Sequence, residues 1–111
     1  MSGIVEDVSD DNYETIIHAP ASLVVYGIAS CEPCQAYDPV LETIAKTHTH
    51  IRVGKAKMHV PGRCREIKKR HCFETYPTTH FFSHGQLLAA REGKIEATEL
   101  AALISRYFPS P

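Results

Sequence analysis

Two cysteines separated by two residues are the strongest chemical signal in this sequence. They are Cys31 and Cys34 in the stretch "ASCEPCQAYDP", with Glu32 and Pro33 between them and Pro39 five residues after the second. A Cys-x-x-Cys pair is compatible with three kinds of site: a redox dithiol, half of a metal site, or two buried thiols near a helix end. In a reducing compartment, catalytic or metal-binding roles are more frequent than a structural disulfide.

The elements around the two cysteines favour the redox interpretation. Residues 22–28, "SLVVYGI", are apolar and rich in β-branched side chains, which predicts a strand buried on both faces. Residues 32–47 repeat apolar side chains at helical spacing and predict an amphipathic helix. Cys31 therefore falls at a helix N-terminus, where free N–H groups and the helix dipole favour a thiolate.

The spacing also permits a disulfide between the two sulfurs. Cys34 lies one turn further along the same side of the helix, and such neighbours are roughly 5–6 Å apart, a separation that a disulfide tolerates. An exposed Cys31 would attack a disulfide of a partner, and Cys34 would then displace the reduced product. The carboxylate of Glu32 opposes the negative charge on the Cys31 sulfur and partly offsets the helix dipole.

The remaining pattern predicts an α/β domain with a mixed sheet and helices on both of its faces. Strands "THFFSH" and "QLLAAR" are separated by His84–Gly85, a hairpin signal. The element order β-α-β-α-β-α-β-β-α combines parallel units with a final antiparallel hairpin. The other predicted elements are strands at 4–8 and 51–58, and helices at 9–18, 62–71 and 96–108.

Composition limits the function classes. The chain of 111 residues is expected to form one domain, 1–108, followed by a short tail, 109–111. A net charge of −1 gives no global field to attract nucleic acid or an anionic membrane. The acidic start "MSGIVEDVSDD" lacks the basic and apolar regions of a secretory signal, and no apolar run approaches a membrane span. A cytoplasmic protein is therefore expected.

The sequence resembles the thioredoxin family over nearly its whole length. The cysteine motif follows an apolar strand, Pro39 matches the proline inside the family's helix, and Gly93 matches a glycine that borders the active-site surface. The segment "TYPTTHFFSHGQ" resembles the family's cis-proline segment and hairpin, with Pro77 at the cis-proline position. The resemblance implies a thioredoxin-like fold and a thiol–disulfide oxidoreductase that acts on protein disulfides.

The resemblance also implies partners and residue roles. The protein would need no bound cofactor, would receive electrons from a reductase or another dithiol protein, and would be a monomer. Cys31 would be the nucleophile and Cys34 the resolving cysteine, while the backbone of Tyr76 would pair with an extended substrate peptide. The implied substrate-binding residues are Ser30, Glu32, Pro33, Tyr76, Pro77 and Gly93.

Three positions depart from the family pattern. Ser30 and Gly27 stand where family members usually carry tryptophan, and Val25 replaces a buried aspartate that is thought to help proton transfer at the resolving cysteine. Lys55 matches the lysine that neighbours this aspartate in the family. The departures imply a partner different from that of a general disulfide reductant.

Two alternatives remain open at this point. The first is a non-catalytic adaptor that binds an extended peptide beside Pro77. The second is a zinc-binding module that recruits Cys64 and Cys72. Seven residues separate this second pair, whereas structural zinc motifs usually carry a second close ligand pair. These two thiols are therefore expected to be buried or half-buried structural groups, and the seven histidines are expected to be solvated or to cap helices.

Overall fold

The computed structural model describes residues 3–109 and contains five strands and four helices in this range. Residues 1–2 of the predicted domain and residues 110–111 of the predicted tail lie outside the described residues. The elements are β1 Val5–Val8, α1 Tyr13–Ile17, β2 Ser22–Gly27, α2 Glu32–Thr47, β3 Arg52–Lys57, α3 Arg65–Arg70, β4 Thr78–Ser83, β5 Gln86–Glu92 and α4 Ala97–Tyr107. Their order is the predicted one.

The five strands form one mixed sheet in the order β1-β3-β2-β4-β5. Strands β1 and β2 both pair with β3 in parallel, whereas β4 pairs with β2 and β5 in antiparallel fashion. Strand β2 is thus central, and all six of its residues are buried. The prediction of parallel units completed by an antiparallel hairpin is confirmed.

The side chains of β2 alternate between two cores because successive residues of a strand point to opposite faces. Leu23 and Val25 pack in a core that includes residues of α2 and α4. Val24 and Tyr26 pack on the opposite face with residues of α1 and α3. The sheet is therefore covered on both faces, as a buried central strand requires. No helix within residues 3–109 is long and apolar enough to cross a membrane.

Two predicted helices are shorter than the sequence pattern suggested. Helix α1 begins at Tyr13 because residues 9–12 form a turn in which the backbone N–H of Ser9 donates to Asn12 Oδ1 at 2.8 Å. Helix α3 begins at Arg65, after Gly62. Gly62 has φ +79°, a left-handed conformation that a right-handed helix does not contain.

The predicted hairpin turn is confirmed at His84–Gly85. Both residues have positive φ, 51° and 85°, as a two-residue turn of type I′ requires. The turn also contacts the end of α1: the N–H of His84 donates to Ala19 O at 2.9 Å and that of Gly85 to Ile17 O at 2.8 Å. These bonds fix the position of β4, the strand that directly follows Pro77.

Candidate active site

Cys31 lies at the junction between the central strand and the longest helix. It is the N-cap residue of α2, with extended backbone dihedrals, and the N–H of Cys34 donates to its Sγ at 3.1 Å. Pro33 stands in the first turn of α2, where its missing N–H costs no helical hydrogen bond. The local sequence therefore places a sulfur where free helix N–H groups collect, as predicted.

Cys31 and Cys34 are disulfide-bonded, with their Cα atoms 5.2 Å apart. Their exposures differ: Cys34 is 2% exposed, whereas Cys31 is half-buried and reaches the surface. The prediction that the two sulfurs can bond within one helical turn is confirmed. The difference in exposure means that a large partner can reach only the first sulfur.

The segment before β4 forms the second wall of the site. The Tyr76–Pro77 peptide bond is cis, as predicted, and Pro77 is buried. The carbonyl oxygen of Tyr76 lies 3.5 Å from Cys31 Sγ. The N–H of Gly93 donates to Pro77 O at 2.7 Å, so the end of β5 holds this segment from the other side. Residues far apart in the sequence thus meet at the dithiol.

The outer rim of the site consists of exposed residues next to Cys31. Ser30 and Glu32 flank Cys31 in the chain, Pro33 precedes Cys34, and all three are exposed. Neither the N–H nor the carbonyl of Tyr76 takes part in a backbone hydrogen bond within residues 3–109. The structure therefore brings the six predicted substrate-binding residues to one region, and their roles in binding stay predictions.

The inner side of Cys34 adjoins a charged pair that the sequence analysis did not identify. Lys55 Nζ lies 2.5 Å from Asp38 Oδ1, and the two side chains are 22% and 40% exposed. A Cβ atom on Gly27 would lie 3.1 Å from Cys34 Sγ and 4.0 Å from Lys55 Cε. Asp38 follows Cys34 by four residues on α2, and this spacing could have indicated that the two side chains are neighbours. The pairing of Asp38 with Lys55 of β3 depends on the fold.

A cluster of tyrosine and histidine side chains lies on the other face of the sheet. The hydroxyls of Tyr13 and Tyr26 are 2.7 Å apart, His71 Nε2 is 3.0 Å from the first, and His80 Nδ1 is 3.1 Å from the second. His80 is 5% exposed, so the expectation that the histidines are solvated or cap helices is wrong for this residue. His80 lies on β4, a strand whose first five residues are buried, so neither face of the strand offers it a solvated position.

Burial determines the protonation of this cluster. Desolvation lowers the pKa of His80 to about 4, with a smaller contribution from His71, so His80 is neutral at pH 7. Desolvation, followed by the nearby Arg70, also lowers the pKa of His71. The cluster extends toward the dithiol through Phe73, whose ring stacks on that of Tyr76 with centroids 6.1 Å apart.

The two remaining cysteines are not part of the disulfide. Cys64 is buried, and burial raises the pKa of its thiol, which makes it a poor nucleophile at neutral pH. Cys72 is exposed, so the expectation of a buried or half-buried thiol holds for Cys64 and is wrong for Cys72. Cys72 follows His71, the C-cap residue of α3, and is therefore outside the helix.

Residues 3–109 contain no group of three or more His, Cys, Asp or Glu side chains that could hold a metal ion.

Similarity to known proteins agrees with this arrangement. A family model described as thioredoxin matches residues 4–106. The thioredoxin of Chlamydia pneumoniae is 25% identical over 104 residues, which cover 94% of this chain and 99% of the relative. The crystal structure of thioredoxin f2 from Chlamydomonas reinhardtii matches with a TM-score of 0.83 at 19% identity, over 96% of this chain and 99% of that one.

A further structural match comes from a complex. A chain in the crystal structure of ferredoxin:thioredoxin reductase with thioredoxin f2 matches with a TM-score of 0.83 at 15% identity, covering 95% of this chain and 96% of that chain. At these identities the solved structures establish the fold. The family model, which spans most of the chain, together with the disulfide-bonded pair, favours the oxidoreductase over the adaptor. The chain belongs to the thioredoxin family and is a protein thiol–disulfide oxidoreductase with its redox pair at Cys31 and Cys34.

Proposed function

We propose that Cys31 is the nucleophile and Cys34 the resolving cysteine in exchange with protein disulfides. The observation that carries this assignment is the difference in exposure between a half-buried N-cap sulfur and a sulfur in a residue that is 2% exposed. In the reduced protein, Cys31 Sγ attacks one sulfur of the substrate disulfide, and the other sulfur leaves as a thiolate. Cys34 Sγ then attacks Cys31 Sγ, which forms the Cys31–Cys34 bond and releases the second substrate thiolate.

The substrate segment is proposed to lie across Ser30, Glu32, Pro33, Tyr76, Pro77 and Gly93. Support comes from the exposure of the first three and from the backbone of Tyr76 beside Cys31 Sγ, which makes no backbone–backbone hydrogen bond within residues 3–109. An extended peptide that pairs with this backbone places its own sulfur next to Cys31, in the manner of a strand added to a sheet.

The test is disulfide reduction with single cysteine variants. Insulin serves as the substrate and a small dithiol as the electron donor, and turnover is followed for Cys31→Ser, Cys34→Ser and Cys72→Ser. We expect no turnover for the first variant and unchanged turnover for the third, because Cys72 is a free cysteine that takes no part in the Cys31–Cys34 bond. Cys34→Ser should accumulate a mixed disulfide at Cys31, which mass spectrometry of acid-quenched samples detects. Full activity of both Cys31→Ser and Cys34→Ser would disprove the assignment.

The physiological setting is a second part of the proposal. We propose a cytoplasmic monomer that forms one domain over residues 1–108, carries electrons in cellular redox reactions without a bound cofactor and is reduced by a reductase or another dithiol protein. The match to a chain from a complex of thioredoxin f2 with its reductase supports this kind of donor. The reduction potential of the pair gives the direction: a value near thioredoxin's roughly −270 mV supports a reductant, and one near about −120 mV an oxidant.

A further inference from the structure

The resolving step requires a proton acceptor next to a buried sulfur. Only the thiolate of Cys34 attacks the mixed disulfide, so its proton must leave before the bond forms. Cys34 is 2% exposed and faces the interior beside β2. Bulk solvent therefore has poor direct access to this proton, in contrast to that of Cys31 at the surface.

Gly27 has the sulfur of Cys34 and the charged side chain of Lys55 as neighbours. Cys34 Sγ and Lys55 Cε both lie within 4.0 Å of the point where a Gly27 side chain would begin. Lys55 in turn holds Asp38 Oδ1 at 2.5 Å. Cys34 and Asp38 are four residues apart on α2, so they occupy the same side of the helix with Cβ atoms roughly 5–6 Å apart.

A cavity of about 340 Å³ connects this pair to solvent. Its wall on the β2 side is Gly27 and the residues that follow, and Gly27 contributes no side chain to fill it. Its titratable wall residues are Asp38 from α2, Lys55 and Lys57 from β3, and His59 from the segment after β3. Of the described residues that line the cavity, Asp38 is the one carboxylate, and Lys55 holds it.

We propose that Asp38 accepts the proton of Cys34 during the resolving step and that Lys55 is the positioning residue that holds Asp38. The proposal rests on the proposed roles of Cys31 and Cys34. The proton passes from Cys34 Sγ, past Gly27, to the Asp38 carboxylate in the wall of the cavity. The Cys34 thiolate then attacks Cys31 Sγ, the Cys31–substrate bond breaks, and the electron pair leaves on the substrate sulfur. Asp38 returns the proton to solvent through the open side of the cavity, and the ammonium of Lys55 stabilises the transient thiolate.

A single-turnover experiment separates the two steps of exchange. The substrate is a symmetric disulfide of a fluorescent peptide, which releases one peptide when Cys31 attacks and the second when Cys34 resolves. Reduced protein in a Cys72→Ser background is mixed with the substrate and quenched in acid across a range of pH. Released peptide is quantified by fluorescence after separation and the trapped mixed disulfide by mass spectrometry.

Asp38→Asn is expected to leave the first release unchanged and to slow the second roughly 100-fold at neutral pH, near the lower end of what a positioned base contributes. The mixed disulfide at Cys31 should accumulate. In Asp38→Asn the rate of the second release should rise with hydroxide, because hydroxide must replace the missing base, and this dependence should be weaker in the parent. Asp38→Glu should restore most of the rate, and Lys55→Met should give an intermediate loss with the parent's pH profile.

The matched control is Glu42→Gln, which removes an exposed carboxylate from the same helix away from the cavity. An unchanged second release and pH profile in Asp38→Asn would overturn the proposal, as would an equal slowing in Glu42→Gln. Failure of the proposed function gives a different result, because the parent itself would then release no peptide. The first release, measured in the same samples, reports whether each variant is folded and active at Cys31.

Discussion

At the scale of single residues, the contact between Gly27 and Cys34 shows how little space surrounds the buried sulfur of Cys34. Position 27 lies at the end of the central strand and has no side chain, and a Cβ atom there would lie 3.1 Å from Cys34 Sγ. This is closer than ordinary van der Waals contact, so a side chain at this position must displace the sulfur or the strand. The absence of a side chain thus allows both the buried sulfur and the cavity beside it.

Gly27→Ala is expected to lower the free energy of unfolding of the reduced protein by about 1 kcal/mol, as overpacking usually does. The same change in a Cys34→Ala background should be neutral or stabilising, because the clashing sulfur is gone and alanine is favoured over glycine inside a strand. Urea unfolding of the four proteins measures both effects. Equal costs in the two backgrounds would show that the contact with Cys34 is not the cause.

The sequence was sufficient to predict some site residues and not others. Cys31 and Cys34 carry their signal in residue type and spacing, whereas Pro77 and Gly93 were indicated by the resemblance to the thioredoxin family. The structure brings the four together. Asp38 resembles any polar residue on an amphipathic helix. Its pairing with Lys55 arises only when α2 packs against β3, and such a contact has no local signature.

At the scale of elements, the β4–β5 hairpin and the end of α1 support each other. The turn residue Gly85 has φ +85°, and a Cβ atom there would lie 2.6 Å from Nε2 of His18. His18 is held through its Nδ1, which lies 2.7 Å from Glu14 O. The hairpin therefore depends on glycine both for its backbone conformation and for contact with α1.

Gly85→Ala is expected to destabilise the protein by about 1 kcal/mol more than Gly62→Ala. Both changes place alanine at positive φ, which costs roughly 1–2 kcal/mol, but Gly62 has open space where the methyl would go. The extra cost is the hydrogen bond of His18, worth about 1 kcal/mol. Thermal or urea unfolding measures the difference, and adding His18→Ala to each variant should remove it. A difference that survives His18→Ala would contradict this explanation.

The buried histidine on β4 makes the stability of the sheet depend on pH. The pKa of His80 is about 4 in the folded protein and near the usual 6.5 in the unfolded chain. Below about pH 6.5 the unfolded chain binds a proton that the folded protein does not, so stability falls as pH drops from about 6.5 to 4. Over this range the titration of His80 lowers the free energy of unfolding by about 3 kcal/mol.

His80→Phe tests this contribution through the difference in unfolding free energy between about pH 7 and about pH 5. The variant should lose less stability on acidification than the parent, by about 2 kcal/mol, because phenylalanine does not titrate. His59→Gln, which removes an exposed histidine, should keep the parent's pH dependence. If His80→Phe and the parent have the same slope, the buried histidine is not the titrating group.

The order and type of the elements could be predicted from hydrophobic period, but their ends could not in every case. Helix α3 begins after Gly62, whose left-handed backbone was not evident from the sequence. His80 was misassigned because a histidine in a strand does not itself reveal whether its face is covered. The alternation of β4 showed which residues share a face with His80, and only the packing of α1 and α3 determines that this face is buried.

At the scale of the whole molecule, the sheet brings segments that are far apart in the sequence to one small surface. The dithiol follows the central strand, Pro77 precedes β4 and Gly93 follows β5, so neighbouring strands in the sheet carry the parts of the site. Because β3 pairs with β2 in parallel, Lys55 of β3 lies near Gly27 at the end of β2. This adjacency is a property of the strand order, which the element sequence alone left undetermined.

In the proposed reaction the protein carries two electrons through a single port, the accessible sulfur of Cys31, because Cys34 is buried. With Cys31 as the proposed nucleophile, electrons from the donor and electrons to the acceptor pass through the same sulfur, because Cys34 is 2% exposed. Donor and acceptor therefore cannot be bound productively at the same time. Initial rates measured over a grid of both concentrations should give parallel double-reciprocal lines, the pattern of a ping-pong reaction, and excess donor should inhibit by occupying the port. Intersecting lines would mean that a second entry point exists. With one entry point, donor and acceptor compete for the sulfur of Cys31, and their relative concentrations set the rate of electron flow through the protein.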